Sequence, residues 1–445
     1  MDDWSPGSWQ SRPIRQAVTY PDCGKLERVL QELAALPPLV TSWDVESLKS
    51  QLSAVQQGQA FLLQGGDCAE RFDDCRAAPI VAKLKILLQM SLVLAYGTGR
   101  RVIRVGRFGG QYAKPRSSDV ETRDGVTMPS YRGDMINRPE FDAAARVPDP
   151  QLLLTGYERA AMTLNFIRSL VGGGFADLHH PEWWNLDFAG TSSQAGDYQW
   201  LVNHITESLA FLEAVAGRTL DDVCRTDFYT SHEGLLLDYE QALTRQVPRR
   251  PGWYDLSTHF PWIGYRTGQP SGAHVEFFRG VANPVAVKIG PGIAPEELLE
   301  LIQRLDPDNE PGRLTLTHRF GAARIEAQLP GLVEAVRRAD RKVLWCCDPM
   351  HGNTISTATG RKTRRFGDVM SELQSAFEIH AAADSSLGGI HVEVSGDVVT
   401  ECVGGAGGLS EGDLERAYES EVDPRLNYEQ ALELSLLVAG RLRKR

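Results

Sequence analysis

The sequence predicts an α/β chain folded as a (β/α)8 (TIM) barrel, with an N-terminal extension and an inserted helical pair. Three observations carry this expectation. Eight short apolar, β-branched runs recur along the chain. Most are continuously apolar rather than strictly alternating, as parallel strands buried on both faces require. Longer amphipathic stretches separate them, which is the alternation a barrel is built from.

The eight expected strands are Ala60–Gln64, Val102–Gly106, Thr226–Ser231, Trp253–Thr258, Pro284–Ile289, Arg313–Thr317, Lys342–Cys347 and Gly389–Val394. Between them, Ile80–Tyr96 carries Ile80, Leu84, Leu87, Leu88 and Leu92 at helical spacing. Pro295 opens Glu296–Leu305, with acids in the first turn where the helix dipole favours them. Arg324–Ala339 and Ser371–Ala383 have the same character.

Residues 1–55 precede the first strand and contain one helix-like run, Lys25–Leu36, followed by Pro37-Pro38. They read as an N-terminal extension, and residues 56–445 as the catalytic barrel. Within the barrel, residues 172–222 add helical material ahead of the third strand, His204–Ala216 being its clearest part. Extension and insertion are candidates for oligomer contacts or regulation. The plainer reading, that they cover apolar surface, stands beside it.

Composition excludes several classes. With 42% hydrophobic and 24% charged residues the chain is ordinary globular material. A net charge of -11 argues against a nucleic-acid binder, which needs excess Lys and Arg on its contact face. No apolar run is expected to cross a membrane. Met1-Asp2-Asp3-Trp4 has no basic start leading into an apolar core, so no secretory signal is expected. Seven irregularly spaced cysteines form no disulfide framework and no zinc-finger spacing. Free thiols in a cytoplasmic setting are the expectation.

The chemistry lies at the C-terminal ends of the strands. The first leads into Gly65-Gly66-Asp67-Cys68-Ala69-Glu70, the second into Arg107 and a loop holding Lys114-Pro115-Arg116-Ser117. The third ends in Ser231-His232-Glu233, and the fourth leads to Trp262-Ile263-Gly264-Tyr265-Arg266. Lys288, His318-Arg319, Asp348 through His351, and His391-Val392-Glu393 follow on the remaining four. In a barrel these ends converge on one face. Arg107, Lys114, Arg116, Arg266, Lys288 and Arg319 suffice to hold two phosphate groups and a carboxylate. Cys68, His351 and Glu393 are metal-ligand types, and a mixed set with one thiolate suits Mn²⁺, Fe²⁺, Co²⁺ or Zn²⁺ better than Mg²⁺.

Each residue has a plainer reading. A lone Cys68 is more often a small buried hydrophobe than a ligand. His351 can serve its own turn. Glu393 is harder to dismiss, because a carboxylate inside an apolar strand needs a cation or a metal. Cys346-Cys347 reads as strand packing, since adjacent strand residues face opposite ways. His179-His180 reads as surface, and Arg361-Lys362-Thr363-Arg364-Arg365 as a solvated loop, with a phosphate-gathering role the lesser alternative. Gly404-Gly405-Ala406-Gly407-Gly408 lacks the P-loop pattern and reads as a lid or tight turn.

Read together, the motifs resemble the type II 3-deoxy-D-arabino-heptulosonate 7-phosphate (DAHP) synthases. The matching stretches include FLLQGGDCAE (61–70), GGQYAKPRS (109–117), YRGDMINRP (131–139), SHEGLLLDYE (231–240) and WIGYRT (262–267). ANPVAVKIGP (282–291), GRLTLTHRFG (312–321), CDPMHGNT (347–354), GGIHVEVSG (388–396), TECVGGA (400–406) and DPRLNYEQALELS (423–435) complete them. The resemblance implies condensation of phosphoenolpyruvate with erythrose 4-phosphate and water, the entry step of the shikimate pathway to chorismate and aromatic amino acids. It implies a divalent metal, manganese first, on Cys68, His351, Glu393 and Asp423. Asp423 comes from the resemblance alone. Arg107, Lys288, Arg319 and Tyr265-Arg266 would hold phosphoenolpyruvate; Lys114, Arg116 and Ser117 would hold the aldose phosphate. Lys114, Asp67 and metal-bound water are the candidates for moving protons.

Two departures stand out. Tyr265 occupies a position where some members carry an acid. Val422 stands where some carry a cysteine able to pair with the metal-binding one, so that redox switch is excluded here. The extension and insertion resemble the longer, regulated members, which implies feedback inhibition by aromatic amino acids, tryptophan foremost. A homo-oligomer, dimer or tetramer, is expected, and a chorismate mutase is raised as a partner. Two rivals keep the fold: a Schiff-base aldolase using Lys288, and an inactive homologue acting as a sensor.

Overall fold

A computed structural model describes residues 4–123, 125–175 and 227–443, with positions 196, 200, 203 and 207 between them. In chain order the barrel strands are β1 (Ala60–Gly66), β2 (Arg101–Arg107), β3 (Tyr229–Thr230), β4 (Trp262–Ile263), β5 (Val285–Ile289), β6 (Leu314–His318), β7 (Leu344–Cys347) and β8 (Leu387–Glu393). Each hydrogen-bonded pair is parallel, and β1 lies between β2 and β8. The ring closes between β3 and β4. There the Trp262 amide donates to the His232 carbonyl (3.1 Å) and its carbonyl accepts from Gly234 (3.0 Å).

One expected strand is displaced. Trp253–Asp255 pairs antiparallel with Thr244–Gln246 outside the barrel. The fourth barrel strand is the two-residue Trp262–Ile263 that follows, paired with Ala286 and Val287 of β5. Both stretches are aromatic and apolar, so local composition cannot separate them; pairing with β3 and β5 does. The insertion expected at 172–222, with His204–Ala216 and His179-His180, lies almost wholly outside the described residues, as does Cys224.

Helices cover the outside of the sheet: α3 (Ala77–Thr98), α5 (Pro295–Leu305), α6 (Ile325–Arg338), α7 (Phe366–Ala382) and α8 (Tyr428–Arg443), with α4 (Gln151–Gly172) beside them. Phe61, Leu63, Val287, Leu316, Cys347 and Val392 face this helical layer in one apolar cluster. Helix α3 is long and apolar enough to cross a membrane by composition, contrary to the sequence expectation. Its most apolar window is 67% buried within the fold. That burial explains the composition: the helix is apolar nearly all round because it packs on β1, β2, α4 and α8.

Two helices precede β1, α1 (Cys23–Ala35) and α2 (Ser42–Gln56), where the sequence showed only the first. Helix α2 starts at a capping box made by Thr41 and Asp44. Its Leu48, Leu52 and Val55 cluster with the inward residues Leu62, Ile103, Val105, Ala286, Leu344 and Cys346. The helix therefore plugs the base of the barrel. Cys346 faces the barrel interior and Cys347 the helical layer, as the strand period requires.

The same inward face changes character toward the top. Ala286 is followed two residues on by Lys288, Val105 by Arg107, Cys346 by Asp348, and Gly389 by His391 and then Glu393. All five upper residues are buried. An apolar floor thus supports an ionic upper layer, set by nothing more than the two-residue strand period.

Leu52 is fully buried. Leu52→Ala should cost about 3 kcal/mol of stability. Denaturant unfolding should show this loss while the circular dichroism spectrum of the folded protein stays unchanged.

Candidate active site

At the centre of the ionic layer stands Glu393, the last residue of β8 and fully buried. Its Oε1 accepts from Arg107 Nη2 (3.0 Å) and Lys114 Nζ (3.2 Å) and lies 3.0 Å from His351 Nε2. Arg364 Nη2 lies 2.7 Å from its Oε2. Burial works against the charged form, but His351, Lys114, Arg364 and Arg107 outweigh it and hold the carboxyl well below the usual range.

Three ligand-type groups converge here. Cys68 Sγ and carboxylate oxygens of Glu393 and Asp423 lie within 4.8 Å of one another. Lys114 sits among them, its Nζ 2.5 Å from Cys68 Sγ and 2.8 Å from Asp423 Oδ2. The Lys114 ammonium thus lies among the three ligand-type groups and offsets their negative charge. His351, the fourth ligand type expected from the sequence, is not one of these three mutually close groups and adjoins them through Glu393. Its Nδ1 is 2.7 Å from Asp348 Oδ2, which turns Nε2 toward Glu393. A carboxylate behind a ligating imidazole is the usual orienting arrangement. Burial pushes the His351 imidazole down, and burial followed by Glu393 pushes the Cys68 thiol up to about 12. The donor set of one thiol, one imidazole and two carboxylates fits a divalent transition metal.

The loop carrying Asp423 is held by Glu401, which the sequence did not single out. Glu401 accepts from the amides of Glu419 (3.1 Å), Ser420 (2.9 Å) and Arg425 (2.6 Å), and from the Arg425 guanidinium (2.8 Å). Arg425 Nη1 in turn reaches Asp67 Oδ1 (3.0 Å), and Lys83 binds the other Asp67 oxygen. Against burial, Lys83 and Arg425 keep Asp67 ionised. Cys68, Tyr131 and Val422 form a small apolar cluster behind the thiol.

Across the mouth lies a second group of cations. The Trp262 ring carries the Arg107 guanidinium 5.2 Å and the Lys288 ammonium 5.7 Å from its centre. Lys288 Nζ pairs with Asp348 Oδ2 at 2.8 Å. Burial lowers the Lys288 pKa, and Asp348 opposes that shift. Arg107 Nη1 donates to His391 Nε2 (2.7 Å), whose Nδ1 meets Gln64 Oε1 (2.7 Å). Arg319 stacks over Tyr265 at 5.2 Å and donates to the His351 carbonyl. Tyr265 donates to the Pro291 carbonyl (2.6 Å), and Arg266 beside it is exposed. Arg116 is partly buried with Glu121 at 3.7 Å, and Ser117 is exposed.

Several members of this site escaped the sequence reading. Lys362 Nζ lies 2.8 Å from Asp423 Oδ1, and Arg364 is fully buried on Glu393. The expectation of a solvated basic loop at 361–365 is corrected. Thr354–Ser356 and Lys362–Arg364 form an antiparallel hairpin, and the strand period puts Lys362 and Arg364 on one face. A Lys-x-Arg spacing beside two turn residues was the available signal. Glu233, already placed at the end of the third strand by the sequence, is partly buried next to the β3–β4 closure; desolvation raises its pKa, and Lys288, Lys114, Arg266 and Arg107 counter it. The segment 404–408 is a tight turn, with Gly404 donating to the Leu409 carbonyl (2.7 Å).

Comparison with known proteins decides the family. A sequence profile described as the Class-II DAHP synthetase family matches residues 4–439. The chain belongs to that family. It is 48% identical over 432 residues to a phospho-2-dehydro-3-deoxyheptonate aldolase of Streptomyces coelicolor, covering 97% of this chain and 96% of that one. A Neurospora crassa protein of the same name is 46% identical over 457 residues, covering 99% and 95%. One from Mycolicibacterium smegmatis is 46% identical over 437 residues, covering 97% and 92%. As a class-II DAHP synthetase family member the chain is an enzyme of the transferase type, and the barrel mouth described above is where its ionisable groups converge.

Glu372 of α7 joins two edges of that mouth. It accepts from the amides of Phe320 and Gly321 (both 2.8 Å) and from Asn353 Nδ2 (2.7 Å). Gly321, at φ 85°, meets Gly352 so closely that a side chain on either would strike the other's backbone. Burial pushes the Glu372 carboxyl up to about 7. A carboxyl raised above its unfolded value contributes stability below the unfolded pKa and loses it as pH rises through the folded one. Relative to Glu372→Gln, the protein should therefore lose stability between about pH 4.5 and 7. Parallel melting curves across that range would show a constant difference if this reading were wrong.

Proposed function

We propose that this mouth condenses phosphoenolpyruvate with erythrose 4-phosphate and water, giving DAHP and inorganic phosphate. The observation that supports the reading is the cluster of Cys68, Glu393 and Asp423, with His351 against Glu393, beside Arg107, Lys114, Lys288 and Arg319 on one face. Cys68, His351, Glu393 and Asp423 would hold a divalent cation, manganese foremost. When bound, the cation supplies Lewis-acid polarisation of the aldehyde carbonyl.

The protein's own residues account for the rest. Arg107, Lys288 and Arg319, with Tyr265-Arg266, grip phosphoenolpyruvate over Trp262. The Nε groups of Arg107 and Arg319 are buried donors without an acceptor among the described residues, which an anionic substrate would satisfy. Lys114, Arg116 and Ser117 hold the aldose phosphate. These cations offset the repulsion of two anionic substrates placed within bonding distance. The methylene carbon of the enol phosphate then attacks the aldehyde carbon. Water adds to the cation left at the former enol carbon and gives up a proton, replacing the one passed to the alkoxide; the C–O bond to phosphate then breaks as the new hydroxyl proton leaves with the phosphate, giving the ketone. Lys114, central among the ligands, holds the proton for the new alkoxide oxygen. Asp67, engaged by both Lys83 and Arg425, acts by positioning the Asp423 loop rather than by moving protons.

Lys288 serves as a phosphate-holding cation, supported by its ion pair with Asp348. Beyond α2, which plugs the barrel floor, the N-terminal extension and the 172–222 insertion would serve oligomer contacts and feedback control by aromatic amino acids.

Phosphate release from phosphoenolpyruvate should require erythrose 4-phosphate, cease with a chelator, and recover with Mn²⁺ or Co²⁺. Release independent of the aldose would defeat the reading, and borohydride trapping of a substrate adduct on Lys288 would replace it with an imine mechanism. Cys68→Ser should raise the metal concentration for half activation at least about tenfold, with the melting curve preserved. Tryptophan, phenylalanine and tyrosine, alone and combined, should lower the rate; unchanged rates in every combination would remove the regulatory assignment.

A further inference from the structure

The segment before α1 is tied down along its length. Trp4 Nε1 donates to the Glu276 carbonyl (2.9 Å), Trp9 Nε1 to Gln241 Oε1 (2.8 Å), and the Pro13 carbonyl accepts from the Ala273 amide (3.0 Å). It then reaches the loop after β2. Gln16 Oε1 accepts from the Arg116 amide (2.8 Å) while Gln16 Nε2 donates to the Arg116 carbonyl (3.1 Å). The side-chain amide thus pairs with both backbone groups of one residue, as a neighbouring strand would. Loop backbone outside any sheet needs such partners.

The anchor is doubled. The carbonyls of Gln16 and Ala17 accept from the Arg132 guanidinium, at 2.5 Å and 2.8 Å. The Arg132 carbonyl accepts from the Lys114 amide at 2.9 Å. Gln16 is therefore linked to both Lys114 and Arg116. It holds a left-handed backbone, φ 60°, which an L-residue with a side chain adopts at a cost. Together with Arg15 it also borders a pocket lined by Tyr265, Arg266, Lys288 and Pro291.

We propose that Gln16 is a positioning residue for the aldose-phosphate half of the site. Its amide fixes the Arg116 backbone and so sets where the side chains of Arg116 and Ser117 meet the phosphate. The inference rests on the reading that residues 114–117 hold that phosphate. It separates the two substrates. The Arg319 and His351 loops are held by Glu372 and the Asp423 loop by Glu401, so loosening Gln16 frees the 114–117 loop while those ties remain.

Gln16→Gly removes the amide and suits the left-handed backbone, so the fold is spared. Gln16→Asn tolerates the same backbone but is one methylene too short to bridge both groups. In steady-state kinetics of the full chain, both should raise KM for erythrose 4-phosphate about tenfold. KM for phosphoenolpyruvate and kcat should change less than about threefold, and the melting temperature of Gln16→Gly should hold. Arg116→Ala is the companion variant. If it raises KM for the aldose phosphate and the two Gln16 variants do not, the role of Gln16 is overturned while the loop assignment survives. If Arg116→Ala leaves that KM unchanged, the loop assignment falls and this inference falls with it. Equal changes in both KM values, with a lowered melting temperature, would make Gln16 a structural tie and overturn the proposal.

Discussion

A carboxylate placed where water cannot reach it organises this molecule. Glu393 ends β8 inside the barrel, fully buried. A lone ionised carboxylate there would be costly enough to take up a proton instead. Arg107, Lys114, Arg364 and His351 prevent that, and they come from four different parts of the chain. Each of these groups then needs support of its own. Arg107 leans on His391 and Trp262, His351 on Asp348, and Lys114 on Cys68 and Asp423. The site is thus a connected lattice of opposite charges grown outward from one strand end.

Buried glutamates at the periphery translate that lattice into fixed loop positions. Glu70 accepts from the amides of Gly110 (3.0 Å) and Gln111 (2.9 Å), joining the loops after β1 and β2. Glu372 does the same for the loops after β6 and β7, and Glu401 for the segment around Asp423. Each uses carboxylate oxygens to satisfy backbone donors that would otherwise be buried unpaired. A site assembled from many strand ends depends on this, because small errors in relative loop position weaken every electrostatic contact at once.

Much of this was legible in the sequence. The strand period alone puts Lys288 above Ala286 and Arg107 above Val105, so their inward direction followed from counting by two. Glu393 announced itself as an acid in an apolar run. Cys68 was ambiguous by itself, and only its neighbours in space distinguish a ligand-type thiol from core packing. Lys362 and Arg364 were misread as solvated because a basic run in a loop usually is. Their hairpin folds back over the mouth, and no local residue pattern encodes that long-range contact. Gln16 offered no signal at all, since its partner lies 100 residues away.

Sequence alone determined the barrel, its eight ionisable strand ends and the residue types available to the site. Periodicity and composition act locally, and parallel strands buried on both faces write a strong local signal. Tertiary structure decided which stretch became β4, where α2 would plug the floor, and which charges would meet. Those outcomes rest on pairing, closure and charge compensation between segments far apart in the chain. For Trp253–Asp255 and Trp262–Ile263 local preference was equal, and closure of the ring against β3 and β5 made the choice.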